Sequence, residues 1–270
     1  MNSTIGFLGT GNMGGALARA AAKAVGPDEL LLHNRTAAKA EALAAELGCR
    51  TARAAELAAS CGLIFLGVKP QMMAGLLEEL APVLAARTDD FALVSMAAGL
   101  TMADIRRMAG GDYPVIRIMP NTPAAVGCGV ILYDAAEHVP PEALDLFCRS
   151  MSQAGMLDRL PEGLIDAGSA VAGCGPAFAD LFLEALADGG VACGLPRAKA
   201  QAYAAQMLLG SARLALETGR HPGQLKDAVC SPGGSTIAGV RALEQRAFRA
   251  ACMEAVEAAF RRTKELGEMK

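Results

Sequence analysis

The sequence has no tryptophan, and phenylalanine and tyrosine together make up only 4% of its residues. Its hydrophobic cores must therefore be built from alanine, leucine, valine and methionine, which favours close helix-to-helix packing. Histidine is also scarce. His33, His138 and His221 are the three in the chain, and none of them lies in a local partner motif. A mechanism centred on histidine is therefore not expected.

The eight cysteines are widely spaced, and no two of them form a Cys-x-x-Cys pair. This spacing excludes a zinc framework, so no metal site is predicted. A net charge of −3 with scattered lysine and arginine excludes a basic surface for nucleic acid. The N-terminus has no signal-peptide pattern, and no uninterrupted apolar run reaches about 18 residues. We expect a cytoplasmic protein with reduced thiols and no membrane partner.

A short strand, a glycine-rich turn and an alanine-rich helix are predicted at the start of the chain, at residues 3–8, 9–14 and about 15–25. The turn carries the G-x-G-x-x-G pattern. In that pattern Gly9 makes the turn, Gly11 permits close approach of a pyrophosphate, and Gly14 permits helix packing. We predict a dinucleotide site formed by these glycines and the residues between them, Thr10, Asn12 and Met13.

The residues after the second predicted strand, at 30–33, bear on the type of cofactor. Sites specific for NAD usually place Asp or Glu here, close to the adenosine ribose. This chain has Asn34, Arg35 and Thr36 instead, and Arg35 can pair with a 2′-phosphate through charge-assisted hydrogen bonds. NADPH is therefore the predicted cofactor. Arg35 also tolerates NADH, and a solvated turn arginine is the structural alternative.

Further apolar segments alternate with helical patterns, at residues 63–68, 92–96, 115–119, 130–133 and 155–160. The alternation predicts an α/β fold with a Rossmann-type, mostly parallel, doubly wound sheet. Ligands bind such sheets beyond the carboxyl ends of the strands. The residues predicted to line the cofactor groove from those ends are Val68, Lys69, Pro70, Ala97, Ala98, Gly99, Asn121 and Thr122. Two alternatives stay open: Lys69 could be solvated, and Asn121 could hold its own turn.

After residue 160 the hydrophobic pattern changes to helical spacing and stays helical. A boundary near residues 161–163 divides the chain into a dinucleotide-binding domain, 1–162, and an all-α domain, 163–270. One predicted helix, at 201–216, is apolar on most of its circumference, and such a helix needs burial on all sides. One sheet domain covers these helices poorly, so we predict that a second subunit covers them.

The segment 221–245 combines two adjacent glycines, two hydroxyl residues and a renewed helical pattern. The glycines let the backbone turn and approach a ligand closely. Ser235 and Thr236 lie where a helix should begin, and free N–H groups there attract a carboxylate. An ordinary N-cap is the alternative. A capping box is missing, however, because neither hydroxyl is followed three residues later by Glu or Gln.

This segment resembles the signature of the pyrroline-5-carboxylate reductase family. Four further motifs occur in that family's order and spacing: GFLGTGNMG at residues 6–14, VKP at 68–70, MPNTP at 119–123 and AGCGPAF at 172–178. The resemblance covers essentially the whole chain. It implies NADPH-dependent hydride transfer to the C=N bond of L-1-pyrroline-5-carboxylate, giving L-proline. It also implies interleaved C-terminal dimerisation domains in a homodimer, with larger rings as a further possibility.

The resemblance implies how the substrate is held. The carboxylate would be bound by the glycine-rich segment, through Ser231, Gly233, Gly234, Ser235 and Thr236. Thr236 is the predicted catalytic residue, because its hydroxyl would hydrogen-bond the ring nitrogen and orient the imine. This chain departs from the family's common pattern at Ala172, Cys174 and Phe178, so no role that needs a hydroxyl is predicted at those positions.

Two other classes of protein stay as alternatives. A β-hydroxyacid dehydrogenase would need a catalytic lysine in the helix after Gly173, and that helix has none; Lys199 lies more than twenty residues farther on. A non-catalytic NADP-sensing protein would explain the nucleotide-binding domain and dimerisation. It would not require the SPGGST run.

Overall fold

The computed structural model describes residues 1–268, and within them eight strands form one sheet. The strands are β1 Ile5–Leu8, β2 Leu30–His33, β3 Arg50–Thr51, β4 Leu63–Leu66, β5 Ala92–Ser95, β6 Val115–Pro120, β7 Gly129–Ala135 and β8 Gly155–Arg159. Their order is β3-β2-β1-β4-β5-β6-β7-β8. Neighbouring strands run parallel except β6 and β7, which are antiparallel.

Helices connect these strands and pack on the sheet. They are α1 Asn12–Val25, α2 Ala37–Leu47, α3 Ala54–Ser60, α4 Pro70–Ala85, α5 Met102–Ala109, α6 Pro141–Met151 and α7 Glu162–Ala172. Phe7 stacks on Phe65 in one hydrophobic core, whereas Leu8 and Leu66 are buried in another. Both faces of the central strands are thus covered, which is why these strands are continuous apolar runs. The predicted Rossmann-type fold is confirmed.

The first helix and the third strand differ from the sequence prediction, and the strands predicted at 63–68 and 130–133 run over Leu63–Leu66 and Gly129–Ala135. The helix predicted from about residue 15 begins at Asn12, because the end of the glycine turn already forms the first helical turn. β3 was not predicted. Its two residues are both exposed, so no hydrophobic alternation marks them in the sequence.

The rest of the described chain is helical, with α8 Gly175–Ala192, α9 Arg197–Thr218, α10 Pro222–Ala228, α11 Ser235–Gln245 and α12 Phe248–Glu268. The chain divides into two compact units. One comprises Met1–Cys174 and the chain from Ala259 onward, and the other comprises Gly175–Ala258. By packing, α7 and the end of α12 therefore belong with the sheet. The domain boundary predicted between residues 162 and 163 stays a prediction.

The helical unit of a single chain exposes many large apolar side chains, among them Leu181, Tyr203, Met207, Leu209, Leu214 and Leu216. The stretch Glu162–Ala192, which spans α7 and α8, is long and apolar enough to cross a membrane by length and composition. Only 11% of its most apolar 18-residue segment is buried within the chain. Acidic residues occur in the stretch at positions 162, 166, 180, 184 and 188. Apolar surface of this extent marks a contact with another molecule.

Candidate active site

The turn between β1 and α1 has a backbone that its three glycines make possible. Gly9 has φ +107°, and a Cβ on it would lie 2.6 Å from the carbonyl oxygen of Gly67. A Cβ on Gly14 would collide with the carbonyl oxygen of Gly9. Gly11, by contrast, faces open space, with no atom within 4 Å of the added Cβ. The turn therefore brings bare backbone to the surface at Gly11, where a ligand can approach closely.

The N-terminus of α1 beside this turn is suited to an anion. Its N-cap residue is Gly11, which offers no side-chain cap, and its first turn has no acidic residue. The N–H groups of a helix start point outward and attract phosphate. The nearby Oγ1 of Thr10 is buried and has no hydrogen-bond partner among the described residues. An uncapped helix start, open backbone and an unpaired hydroxyl together fit the pyrophosphate of a dinucleotide.

A groove of about 1040 Å³ extends from this turn past the ends of β2 and β4 to the first turns of α4. It is lined by predicted cofactor residues from three separate segments: Gly9, Gly11, Asn34, Arg35, Thr36, Val68 and Lys69. The Asn34 amide joins two of these segments, since its Oδ1 accepts from Thr10 N at 3.1 Å and its Nδ2 donates to Thr36 O at 3.2 Å. Asn34 thus holds the walls of the groove together.

Positive charge gathers where β2 ends in this groove. Its walls there carry Arg35, Lys39 and Arg53. Arg53 bonds Glu56 at 2.7 Å, and this hydrogen bond lowers the pKa of the Glu56 carboxyl. Arg35 and Lys39 form no ion pair within residues 1–268. They are therefore the cations best able to meet a phosphate group at the ribose. Lys39 was not predicted from the sequence, where its only indication is its position four residues after Arg35.

The other predicted cofactor residues lie beside the groove or on neighbouring loops. Asn12, Met13 and Gly14 form the first turn of α1, and Pro70 begins α4. Those after β5 and β6 are outside the lining of the groove: Ala97 is buried and Ala98 and Thr122 are exposed. Gly99 has φ +74°, and a Cβ on it would lie 3.2 Å from the backbone N of Gly267 near the end of α12. The structure therefore places Asn12, Met13, Gly14 and Pro70 beside the groove, but not the predicted residues that follow β5 and β6.

Asn121 is held inside the protein. The residue is 7% exposed, its Nδ2 donates to Ala172 O at 2.9 Å, and its Oδ1 accepts from Val130 N at 2.8 Å. Both halves of the amide are therefore engaged by backbone groups. This geometry favours a structural role for Asn121 over the predicted contact with ribose or nicotinamide. The role extends past its own turn, since Ala172 is the last residue of α7.

A buried charged cluster stands close by, on β6 and α7, and sequence reasoning missed it. Arg117 is 2% exposed, and its guanidinium lies 2.5 Å from Asp166 and 3.6 Å from Glu162. Lys264 near the end of α12 also approaches Asp166, at 3.4 Å. The signal in the sequence was a single arginine inside the apolar strand VIRIMP, which burial makes costly unless a carboxylate pairs with it.

The glycine-rich segment of the helical unit leads into α11. Gly233 has φ +68°, and a Cβ on Gly234 would collide with the Ser231 hydroxyl. Gly234 is the N-cap of α11, with Ser235 and Thr236 as its first helical residues. The alternative of an ordinary hydroxyl N-cap is thus not realised, because the capping position has no side chain. Ser231 and Thr236 are exposed, and the helix start is open to a small anion.

The topology and the groove define the class of protein. Sheets of this kind bind dinucleotides where the strand order reverses, with the pyrophosphate at the first helix. Here the order reverses between β1 and β4, which is where the glycine turn and the groove lie. The chain is a dinucleotide-binding protein of the Rossmann class with an appended helical region.

Comparison with known proteins narrows this class. The family model described as pyrroline-5-carboxylate reductase dimerisation matches residues 162–266, and the model described as NADP oxidoreductase, coenzyme F420-dependent, matches residues 4–99. The pyrroline-5-carboxylate reductase of Escherichia coli (strain K12) is 39% identical over 99% of this chain and 100% of its own length.

Solved structures agree with this comparison. A pyrroline-5-carboxylate reductase from Coxiella burnetii matches with a TM-score of 0.89 at 31% identity, covering 98% of this chain and 99% of that one. The Plasmodium falciparum pyrroline carboxylate reductase with NADP bound matches with a TM-score of 0.85 at 31% identity, covering 98% of each chain. The chain belongs to the pyrroline-5-carboxylate reductase family. It is an oxidoreductase, and its helical region is the family's self-association region.

Proposed function

We propose that this enzyme reduces L-1-pyrroline-5-carboxylate to L-proline with NADPH. A hydride is added to the carbon of the C=N bond and a proton to the ring nitrogen, so one NADPH and one proton are consumed for each proline. The observation that carries the proposal is the 39% identity with the Escherichia coli reductase over 99% of the chain. The groove of the sheet unit and the open start of α11 support it, since each suits one anionic reactant.

The proposed cofactor site follows the groove. The N–H groups from Gly11 to Gly14 would bind the pyrophosphate, next to Gly9 and the unpaired Thr10 hydroxyl, with Asn34 and Thr36 at the adenosine ribose. Arg35, assisted by Lys39, would pair with the 2′-phosphate and so favour NADPH over NADH. Val68, Lys69 and Pro70 would line the groove opposite, and Ala97, Ala98, Gly99 and Thr122 would border the nicotinamide half. When bound, NADPH supplies the hydride.

The proposed substrate site is the segment that begins α11. The backbone N–H groups of Gly233, Ser235 and Thr236, with the Ser231 hydroxyl, would hold the substrate carboxylate, and Gly234, whose N–H donates to Ser231 O at 3.0 Å, would shape the turn. The Thr236 hydroxyl would hydrogen-bond the ring nitrogen and fix the angle of the imine plane. A threonine hydroxyl is a weak acid, so the proton comes from water or arrives on an already protonated imine. Most of the rate enhancement then comes from positioning.

The proposed assembly is a homodimer formed through the helical region, and larger rings can be built from such dimers. Burial between subunits would cover the apolar faces of α8 and α9 without a membrane. We propose that residues 163–270 act as the dimerisation and substrate-binding domain and residues 1–162 as the NADP-binding domain. A cytoplasmic location, with no nucleic-acid partner, fits the charge and the free cysteines.

The assay that tests the function follows loss of reduced-nicotinamide absorbance with a substrate panel. NADPH is paired with pyrroline-5-carboxylate and with the six-membered imine acid, with NADH replacing it in parallel. NADP⁺ is paired with a β-hydroxyacid, whose oxidation would instead raise the absorbance. The proposal predicts rapid NADPH consumption with proline as product. The six-membered analogue should react too, since one methylene changes selectivity by about 1–3 kcal/mol. NADPH binding without turnover would favour the sensor, and β-hydroxyacid oxidation would favour the dehydrogenase.

A further inference from the structure

We propose that Asn121 is a positioning residue for hydride transfer: together with Arg117 it fixes α7 at both ends, so that the Gly173–Cys174 segment is held at the carboxyl edge of β6. The inference rests on the proposed reductase function and assigns Asn121 no direct contact with either reactant.

Among the side chains that the structure describes, only the Asn121 amide is hydrogen-bonded to the carboxyl-terminal end of α7. Its Nδ2 donates to Ala172 O at 2.9 Å, and its Oδ1 accepts from Val130 N at 2.8 Å. A single orientation of the amide satisfies both backbone groups, since one needs a donor and the other an acceptor. Asn121 therefore ties the end of α7 to the start of β7 through a buried, two-ended bridge.

The amino-terminal end of α7 is fastened by charge. The buried Arg117 pairs with Asp166 at 2.5 Å and with Glu162 at 3.6 Å, and the Glu162 N–H donates to Asp134 Oδ2 at 2.8 Å. Arg117 and Asp134 are direct cross-strand partners on β6 and β7. Both ends of α7 are thus attached to the same pair of strands. An eleven-residue helix spans about 16 Å, so the attachments are well separated.

The fixed helix positions the residues that follow it. The N–H groups of Gly173 and Cys174 donate to Ser169 O at 2.8 and 2.9 Å, so these two residues continue directly from α7. Asn121 itself comes immediately after Pro120, the last residue of β6. Ligands of doubly wound sheets lie beyond this edge. A shift of about 1 Å in a group near the reacting atoms can lower the rate by about 100-fold.

Two substitutions distinguish a positioning role of Asn121 from a role confined to its own turn. Asn121→Ala removes both hydrogen bonds. Asn121→Asp keeps the acceptor for Val130 N–H but sets a carboxylate against the Ala172 carbonyl in place of the donor. Burial raises the pKa of such a carboxyl, and only its protonated form can donate. Asn2→Asp is the matched control, because Asn2 also donates to a carbonyl, that of Ser60 at 2.7 Å, and accepts from an N–H, that of Thr4 at 3.1 Å, at an exposed position.

We expect both Asn121 variants to lower kcat by about 10- to 100-fold at neutral pH, with the NADPH dissociation constant changed less than about twofold. The activity of Asn121→Asp should recover as the pH falls and the new carboxyl becomes protonated, whereas that of Asn121→Ala should not. Hydrogen exchange should quicken across residues 162–174 in both variants and stay unchanged in the β1–α1 segment. Asn2→Asp should match the parent in every measurement.

Full activity of Asn121→Ala would overturn the proposal, because neither hydrogen bond of the amide would then be needed. Unchanged exchange over residues 162–174 would overturn it too, and so would a loss of NADPH binding with kcat preserved, which marks a cofactor contact. If the parent enzyme fails to reduce the imine acid, the proposed function fails by itself. The exchange measurement then still decides whether Asn121 holds α7.

Discussion

At the scale of single residues, Thr236 carries the most specific claim about chemistry. It lies in the uncapped first turn of α11 and is exposed. Thr236→Ala should bind NADPH normally and lose about one to three orders of magnitude in turnover, the usual range for a lost acid/base or positioning group. Thr236→Ser should restore most of the rate. The measurement is steady-state kinetics with both reactants varied.

Thr218→Ala is the control for that prediction. Thr218 is an exposed threonine of the same helical unit, and its hydroxyl donates to Leu214 O at 2.7 Å. Its removal should leave turnover unchanged. Parental turnover in Thr236→Ala, with this control in hand, would rule out the proposed role.

Arg35 carries the claim about cofactor choice. Its guanidinium lies at the end of β2 without a carboxylate partner among the described residues. Arg35→Ala should raise the KM for NADPH by roughly 10- to 100-fold, because a hydrogen bond to a charged group contributes about 1.5–3 kcal/mol. The KM for NADH should hardly change, since NADH has no 2′-phosphate. Equal effects on the two cofactors would mean that Arg35 acts on the fold instead.

The sequence allows prediction of residues whose role is local. The three glycines follow β1 and Arg35 follows β2, so their roles can be inferred from the residues next to them in the sequence. The α7 partners of Arg117 and Asn121, Asp166 and Ala172, lie 49 and 51 residues away along the chain, and only the folded sheet brings them together. That is why Asn121 was assigned to the cofactor and Arg117 was not singled out.

At the scale of elements, the β1–α1 turn separates two effects of a glycine substitution. Gly11→Ala places a methyl group in open space at φ −69°, so the melting temperature should be unchanged. The methyl group would nevertheless obstruct the pyrophosphate and raise the NADPH dissociation constant by at least about tenfold, equivalent to 1.4 kcal/mol. Titration of the cofactor beside thermal unfolding measures both quantities.

Gly14→Ala is the matched comparison in the same turn. Its methyl group would meet the Gly9 carbonyl oxygen, so the backbone must shift. Such overpacking costs about 1–3 kcal/mol and should lower the melting temperature. If Gly11→Ala bound NADPH as tightly as the parent, the turn would not be the pyrophosphate site.

Elements with long apolar runs were predictable, and short exposed ones were not. β4 is apolar throughout and β5 is apolar except for Ser95, and all eight residues are buried, which also shows that both faces are covered. β3 consists of two exposed residues, and it forms a strand only because the chain passes beside β2 at this point. α7 packs against the sheet through the apolar Ile165, which is buried with Met119 and Leu132, and is also bonded to Arg117 and Asn121, whose contacts its apolar pattern could not reveal.

At the scale of the whole molecule, the exposed helices predict self-association. Leu209→Asp would bury a carboxylate without a partner in an apolar contact, which costs several kcal/mol. Each 1.4 kcal/mol is a tenfold change, so we expect the dissociation constant of the assembly to rise by about 100-fold or more. Sedimentation velocity over a range of concentrations measures this shift.

Val126→Asp is the control for the assembly. Val126 is 76% exposed but lies outside residues 162–266, which the dimerisation model matches. Its substitution should leave the oligomer intact. A parent that sediments as a stable, active monomer at assay concentration would contradict the predicted dimer.

The Rossmann-type class and the helical character of the C-terminal half followed from periodicity, because both are repeated over many residues. The family followed from motifs distributed along the whole chain. The dimer partner, the order of any ring and the exact contacts of the substrate depend on surfaces that periodicity does not describe.

The central claim is that a hydride passes from NADPH to the imine carbon of pyrroline-5-carboxylate. The most direct test is turnover with NADPH deuterated at the transferring position of its C4, followed by mass spectrometry and NMR of the product. We predict L-proline with one deuterium, on the carbon that formed the C=N bond. Unlabelled proline, or NADPH oxidation without proline, would contradict the account.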